Sequence, residues 1–361
     1  MSDARRSSPR SARRVARALA LAALSGAGVV VALLAACGGS DDVLLLYSPH
    51  GRDLLSLVED TYEASHPGLD VRWLDMGSQE VYDRVRSEAA NPQADVWFGG
   101  PSTIFARGAA EDLLAAYRPP WAEHLPAGYS DPQDRYHAVY RTAPVILFNS
   151  DAVPADEAPD DWDDLLDPRW DDEILIRDPV ASGTMRTFFG MVLYRSLTDT
   201  GDTRAGFDWL RRLDARTKEY VLNPVLMVEK LVRREGLVTV WELTDALWQR
   251  EWNRPLDYRF PASGTPIIVD SVGLVAGAPH PEAAREFIDW IGSPEALELA
   301  AEKAFRLPAR NDLPESELPE WARTVLHEIV PAEVDYELLE RYGQEWMATW
   351  DRSVRGRGEG G

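Results

Sequence analysis

From residue 43 onward, short apolar runs alternate with amphipathic stretches. Val43-Leu44-Leu45-Leu46-Tyr47 reads as a buried strand, and residues 52–66 then place Leu54, Leu55, Val58 and Tyr62 at helical spacing. Residues 69–74 predict a second strand, 79–89 a helix and 94–98 a third strand. Strand, helix, strand repeated in this way predicts parallel pairing with helices over both faces. A second α/β region opens near Ala143-Pro144-Val145-Ile146-Leu147-Phe148-Asn149 and includes strands at 174–176 and 238–241. Residues 267–276 read as a strand that returns to the first region, ahead of a helix over 282–291. Between Asp151 and Asp172, ten carboxylates stand against one arginine. Trp162, Leu165, Leu166 and Trp170 interleave with them as on a surface helix, so a solvated acidic face is expected there before a calcium site. The stretch 353–361 has no apolar residue beyond Val354 and is expected to be disordered.

The first 36 residues follow a different rule. Six arginines, Arg5 to Arg17, precede a run of 19 uncharged residues at 18–36, and small residues lead into Cys37, the chain's one cysteine. This is the layout of a secretory signal. Its end, Leu34-Ala35-Ala36-Cys37 followed by Gly38-Gly39-Ser40, resembles a bacterial lipoprotein lipobox, which implies lipidation of Cys37 after removal of residues 1–36. An uncleaved membrane anchor is the other reading, because the apolar run nearly suffices to span a bilayer. Both put the rest of the chain outside the cytoplasmic membrane, tied to its surface as a membrane partner. Twin-arginine export is also open.

Composition narrows the function. The 361 residues carry a net charge of −22. Without the leader, Lys plus Arg falls from 38 to 32 and Asp plus Glu from 60 to 59, a net charge of −27. Such a body lacks the basic footprint of a nucleic-acid binder. With Cys37 modified no internal disulfide can form, so core burial must hold the fold, most naturally in two lobes.

Ligands of open α/β sheets sit beyond the carboxyl ends of the strands, which singles out Ser48-Pro49-His50-Gly51, Gly77-Ser78 and Gly99-Gly100-Pro101-Ser102. The richest such loop is Asp178-Pro179-Val180-Ala181-Ser182-Gly183-Thr184, after the 174–176 strand and at the start of a long helix. Free amides of a first helical turn, with the Ser182 and Thr184 hydroxyls, form an anion cradle favoured by the helix dipole. Ser and Thr there also serve as ordinary helix caps.

Taken in order, these loops, with Pro92-Gln93-Ala94-Asp95-Val96-Trp97-Phe98, Trp162-Asp163-Asp164-Leu165-Leu166, Asn223 and Asp270-Ser271-Val272-Gly273-Leu274, resemble the solute-binding proteins of bacterial ABC importers. The group is that of ferric-ion, phosphonate and sugar-phosphate binders, with the type II periplasmic-binding-protein fold. The resemblance implies an α/β protein of two lobes with mixed sheets, helices on both faces and a cleft that closes on its ligand. It implies a first lobe at 43–142 with 262–310, a second at 143–261 with 311–352, and a tether at 37–42. Ser48, His50, Ser78 and Gly100 would line the cleft from the first lobe, with Asp270 as a further contact. Ser182, Gly183, Thr184, Asn223 and Thr244 would line it from the second. ABC permease subunits, a monomeric state, no cofactor and no catalysis are further implications.

Ferric binders of this group hold the metal with a histidine, a glutamate and two adjacent tyrosines. Here His50 is present, but the glutamate position falls on Gly100 and the tyrosine pair on Ala246-Leu247. Hard cations need such oxygen ligands, so a small anionic solute (phosphonate, phosphate ester or carboxylate) is expected, with no bound metal. Ferric ion or a ferric complex is the alternative. A lipid-anchored secreted hydrolase is another, although the chain has neither a Gly-x-Ser-x-Gly elbow nor a His-Glu-x-x-His zinc site. Glu242 and Asp270 could meet a cationic part of the ligand or cap strands; Arg186 could meet its anion or face solvent. Arg306 receives no assignment.

Overall fold

In the computed structural model of the chain, residues 42–356 are described. The leader, Cys37, most of the tether and residues 357–361 lie outside them. Among the described residues no helix is long and apolar enough to cross a membrane.

The first sheet contains β1 (Asp42–Ser48), β2 (Leu69–Asp75), β3 (Val96–Pro101), β4 (Leu114–Ala115), β5 (His137–Thr142), β11 (Ile268–Val275) and β12 (Leu307–Pro308). Its order is β12-β5-β11-β3-β1-β2, with β4 also beside β11. Alternation along the strands supplies two cores. Leu44, Leu46, Val96 and Phe98 face one side, under α1 (Arg52–Ser65), α8 (Pro281–Ile291) and α9 (Pro294–Ala304). Tyr47 and Trp97 face the other, under α2 (Ser78–Ser87) and α3 (Ser102–Ala110).

The second sheet contains β6 (Pro144–Asn149), β7 (Ile174–Arg177), β8 (Thr217–Val221), β9 (Val238–Glu242) and β10 (Leu256–Arg259), ordered β10-β6-β9-β7-β8. Around it pack α4 (Gly183–Thr200), α5 (Arg204–Arg216), α6 (Pro224–Val232), α7 (Leu243–Glu251), α10 (Glu320–Glu328) and α11 (Tyr336–Ser353). The chain changes sheet at Ala143, between β5 and β6, and changes back between β10 and β11.

The sheets are mixed, as the resemblance implies; three features go beyond what strand–helix alternation alone predicts, the first being strand direction. β1–β3, β7–β8 and β7–β9 are parallel, but β11 runs antiparallel between β3 and β5 because it arrives from the other sheet instead of over a local crossover helix. The acidic stretch is not a surface α-helix; Trp162–Leu166 and Pro168–Trp170 are short 3-10 turns. Several of its acids pair with residues distant in sequence, Asp160 with Arg259, Asp161 with Ser263 and Asp171 with Arg216. Lastly, residues 353–356 are not a loose tail. Ser353 ends α11, Val354 is fully buried and Arg355 bonds the Asp178 carboxylate.

Candidate ligand-binding cleft

A cavity of about 340 Å³ opens between the two sheets, within the size range of small-molecule sites. Six helices begin at its wall: α1 at Gly51, α2 at Gly77, α3 at Pro101, α4 at Ser182, α6 at Pro224 and α7 at Glu242. Each start follows the carboxyl end of a strand. Each contributes free backbone amides and a partial positive charge of about half a unit.

The two walls approach closely at the cradle. A side chain begun at Gly183 would stand 2.7 Å from Pro101 Cδ and 3.1 Å from Ser78 Oγ, and one at Gly77 would stand 3.3 Å from the Ala181 carbonyl. Glycine is required where the walls meet. Ser182 caps α4, its Oγ accepting the Met185 amide at 3.3 Å, and the same residue lines the cavity. Arg177, at the end of β7, is 6% exposed and donates Nη1 to the Val221 carbonyl at 3.2 Å. Its Nη2 lies 3.7 Å from where a Gly77 side chain would begin. Burial disfavours its charge, and Asp178 beside it opposes that shift.

The cleft floor is charged. Arg306, 6% exposed, donates Nη2 to the His50 carbonyl at 2.9 Å and Nη1 to Glu242 Oε1 at 3.5 Å. It therefore links a loop of the first sheet to a strand end of the second. His50 Nδ1 lies 4.0 Å from Asp270 Oδ2, and its ring packs edge-on to Phe98 and Tyr140. Burial, and then Arg306, hold His50 well below its ordinary value, so it is neutral. Burial pushes Glu242 up to about 8 and Asp270 to about 6, each partly offset by Arg306. Asp245 is also raised by burial, with the Trp241 indole bond opposing.

His50, Ser78, Gly100, Ser182, Thr184 and Asp270 all line this cavity. The remaining expected contacts do not. Ser48 is fully buried and its Oγ accepts the His50 amide at 3.2 Å, shaping the loop. Gly183 sits in the contact between walls. Asn223 caps α6 by accepting the Leu226 amide, and the Thr244 hydroxyl is used on the Phe305 carbonyl. Arg186 braces the cradle loop, donating to the Val180 carbonyl at 2.8 Å. Gly100 cannot supply a carboxylate, and Ala246 and Leu247 are buried core residues without side-chain oxygen. Sequence reasoning missed Arg177, Arg306 and Asp245, while Trp241, Trp248 and Trp252 line the cleft as walls. Arg177 had a signal, a basic residue closing an apolar strand just before the cradle. Arg306 had none, since its partners are remote in sequence.

The sequence profile described as bacterial extracellular solute-binding protein matches residues 92–326. The "Probable ABC transporter periplasmic-binding protein y4fP" of Sinorhizobium fredii is 30% identical over 300 residues, 81% of this chain and 80% of that protein. A "Putative 2-aminoethylphosphonate-binding periplasmic protein" of Salmonella typhimurium is 27% identical over 334 residues, 89% of this chain and 91% of its own length. In fold, the chain is similar to the periplasmic binding protein AfuA from Actinobacillus pleuropneumoniae, solved with exogenous fructose-6-phosphate. The TM-score is 0.72 at 23% identity, over 87% of this chain and 98% of that one. With two sheets, a cleft between them and this match over most of its length, the chain belongs to the bacterial extracellular solute-binding proteins.

Proposed function

We infer that this protein is the solute-capturing component of an ABC importer and that its cargo is a small anion of the phosphonate or phosphate-ester class. The observation that carries this reading is the opposed cradle: Ser78 on one wall, Ser182 and Thr184 on the other, two helix starts and the buried Arg177 guanidinium. Preorganised amides, hydroxyls and a guanidinium suit an oxyanion. The relatives' names point to the same chemistry.

Capture involves no covalent step. The lobes, 43–142 with 262–310 and 143–261 with 311–352, close over the solute, and the closed monomer presents it to a permease. The leader supports export, with Cys37 as the lipid-bearing residue that holds the protein outside the cytoplasmic membrane.

A thermal-shift screen over phosphonates, sugar phosphates, phosphodiesters, carboxylates and ferric salts tests the reading. Phosphonates or phosphate esters are expected to raise Tm, by about 2.7 kcal/mol of stabilisation at a hundredfold excess over Kd. Ser182→Ala combined with Thr184→Ala should weaken the best anion at least about tenfold, since each lost bond to a charged group is worth roughly 1.5–3 kcal/mol, while the fold persists. Unchanged affinity in that variant would sink the cradle. A visible charge-transfer band on adding ferric salt would replace the anion with iron.

A further inference from the structure

Beside the contact between the cleft walls, two arginines from opposite walls stand without an acid. Gly183 and Arg186 are three residues apart on α4, a spacing that puts both on one face of the helix. That face meets the first sheet's wall, since a side chain begun at Gly183 would stand 3.1 Å from Ser78 Oγ. Gln79 follows Ser78 in the first turn of α2, and Arg107 on α3 donates Nη1 to Gln79 Oε1 at 3.4 Å. The Arg107 guanidinium also lies 4.3 Å from the centre of the Tyr82 ring. Arg107 and Arg186 thus approach one seam from two walls, close enough for the charge of one to act on the other. Both are half-buried, and neither lines the cleft cavity.

The seam is short of negative charge. Arg186 donates Nη2 to the Val180 carbonyl, and its Nε is buried with no acceptor. The bracing of Val180 therefore uses only part of this guanidinium. The acids close by are engaged elsewhere: Asp83 pairs with Arg86 at 3.5 Å, and Glu111 accepts the Tyr82 hydroxyl. Burial, and then Arg107, bring Arg186 down to about 10, with Asp83 opposing. In a chain of net charge −22, two arginines left without a carboxylate are not a by-product of composition. Like charges that meet in a half-buried seam repel and lose hydration together, a cost that an anion between them removes.

We propose that Arg107 and Arg186 form a second oxyanion site, outside the solute cleft, that takes a free inorganic ion of sulfate or phosphate size. A tetrahedral oxyanion presents acceptor edges to two guanidinium forks at once, and a seam between two walls suits a small free ion. Because its donors come from both walls, the bound ion ties α3 to α4. It also steadies the start of the cradle loop, since Arg186 holds the Val180 carbonyl. The site goes beyond the capture reading and does not depend on which solute the cleft takes.

Calorimetric titration of the full chain with sodium sulfate tests the inference, at low ionic strength where surface charge is least screened. Ser182→Ala with Thr184→Ala serves to silence the cradle. That variant is expected to keep one sulfate site, and adding Arg107→Gln should weaken the site at least tenfold. A sulfate affinity unmoved by Arg107→Gln overturns the inference, and so does sulfate binding that vanishes with the cradle or is absent from every chain. None of these results touches the capture reading, which stands or falls with the solute screen above. Where Arg107→Gln folds poorly, selenate diffused into crystals of the unmutated chain decides the question. An anomalous peak between the two guanidiniums is expected; selenate at the cradle alone, or nowhere, overturns the site.

Discussion

Gly183 has no side chain, and the two walls of the cleft use that space. An alanine there would drive a methyl group to 2.7 Å from a proline ring carbon. Overpacking of this kind costs roughly 1–3 kcal/mol, and on the proposed capture reading it falls on the state in which the lobes have closed on the solute. Gly183→Ala is therefore expected to lower solute affinity about tenfold, with little change in the Tm of the ligand-free protein; calorimetry and a melting curve separate the two. Ser182 and Thr184 were legible in the sequence because capping and helix-start chemistry are local. Thr244 and Asn223 were misread for the complementary reason. A hydroxyl or amide shows its type in the sequence but not its partner, and the Phe305 carbonyl and the Leu226 amide took them.

Among the elements, α11 has the largest effect relative to its sequence signal. It packs on α4 and also reaches α3. Trp350, fully buried, meets the edges of Phe189 and Tyr220, and Leu339 fills the space over Gly190. Trp350→Ala should destabilise by about 3–5 kcal/mol, measured by denaturant unfolding. Arg355 stacks on Trp350 and Tyr220 and bonds Asp178, whose other oxygen accepts the Val180 amide at the start of the cradle loop. Arg355→Ala should consequently weaken anion binding more than it lowers stability. A polar, apolar-poor C-terminal sequence hides this, since one valine and one arginine carry the docking. The β1, α1 and β7 patterns were legible because burial on a defined face imposes a period on the sequence. The direction of β11 was not, because strand orientation depends on where the chain has come from.

For the whole molecule, the charged floor ties stability to pH. Glu242 rises from its ordinary 4.5 to about 8. Over that interval the folded protein holds a proton that the unfolded chain has lost, so this contribution is present at low pH and disappears as pH rises through about 8. Asp270 acts with the same sign up to about 6, and Asp245 with the same sign. His50, lowered from 6.5, has the opposite slope, but only below 6.5. The Tm of the ligand-free protein should therefore fall between pH 6.5 and 8.5, and Glu242→Gln should flatten the fall. The 20% exposure of Glu242 limits the size of this effect, not its sign. A Tm that rises over that interval would count against the floor as described. By itself the sequence determined the alternation of strands and helices and the capped helix start at Ser182, because apolar periodicity and helix capping act between near neighbours. Only the tertiary structure decided that Arg306 meets the carbonyl of His50, 256 residues away, and that its charge acts on both Glu242 and Asp270. Charge at a point in a cleft sums over every group brought near it in space, and no local pattern records that sum.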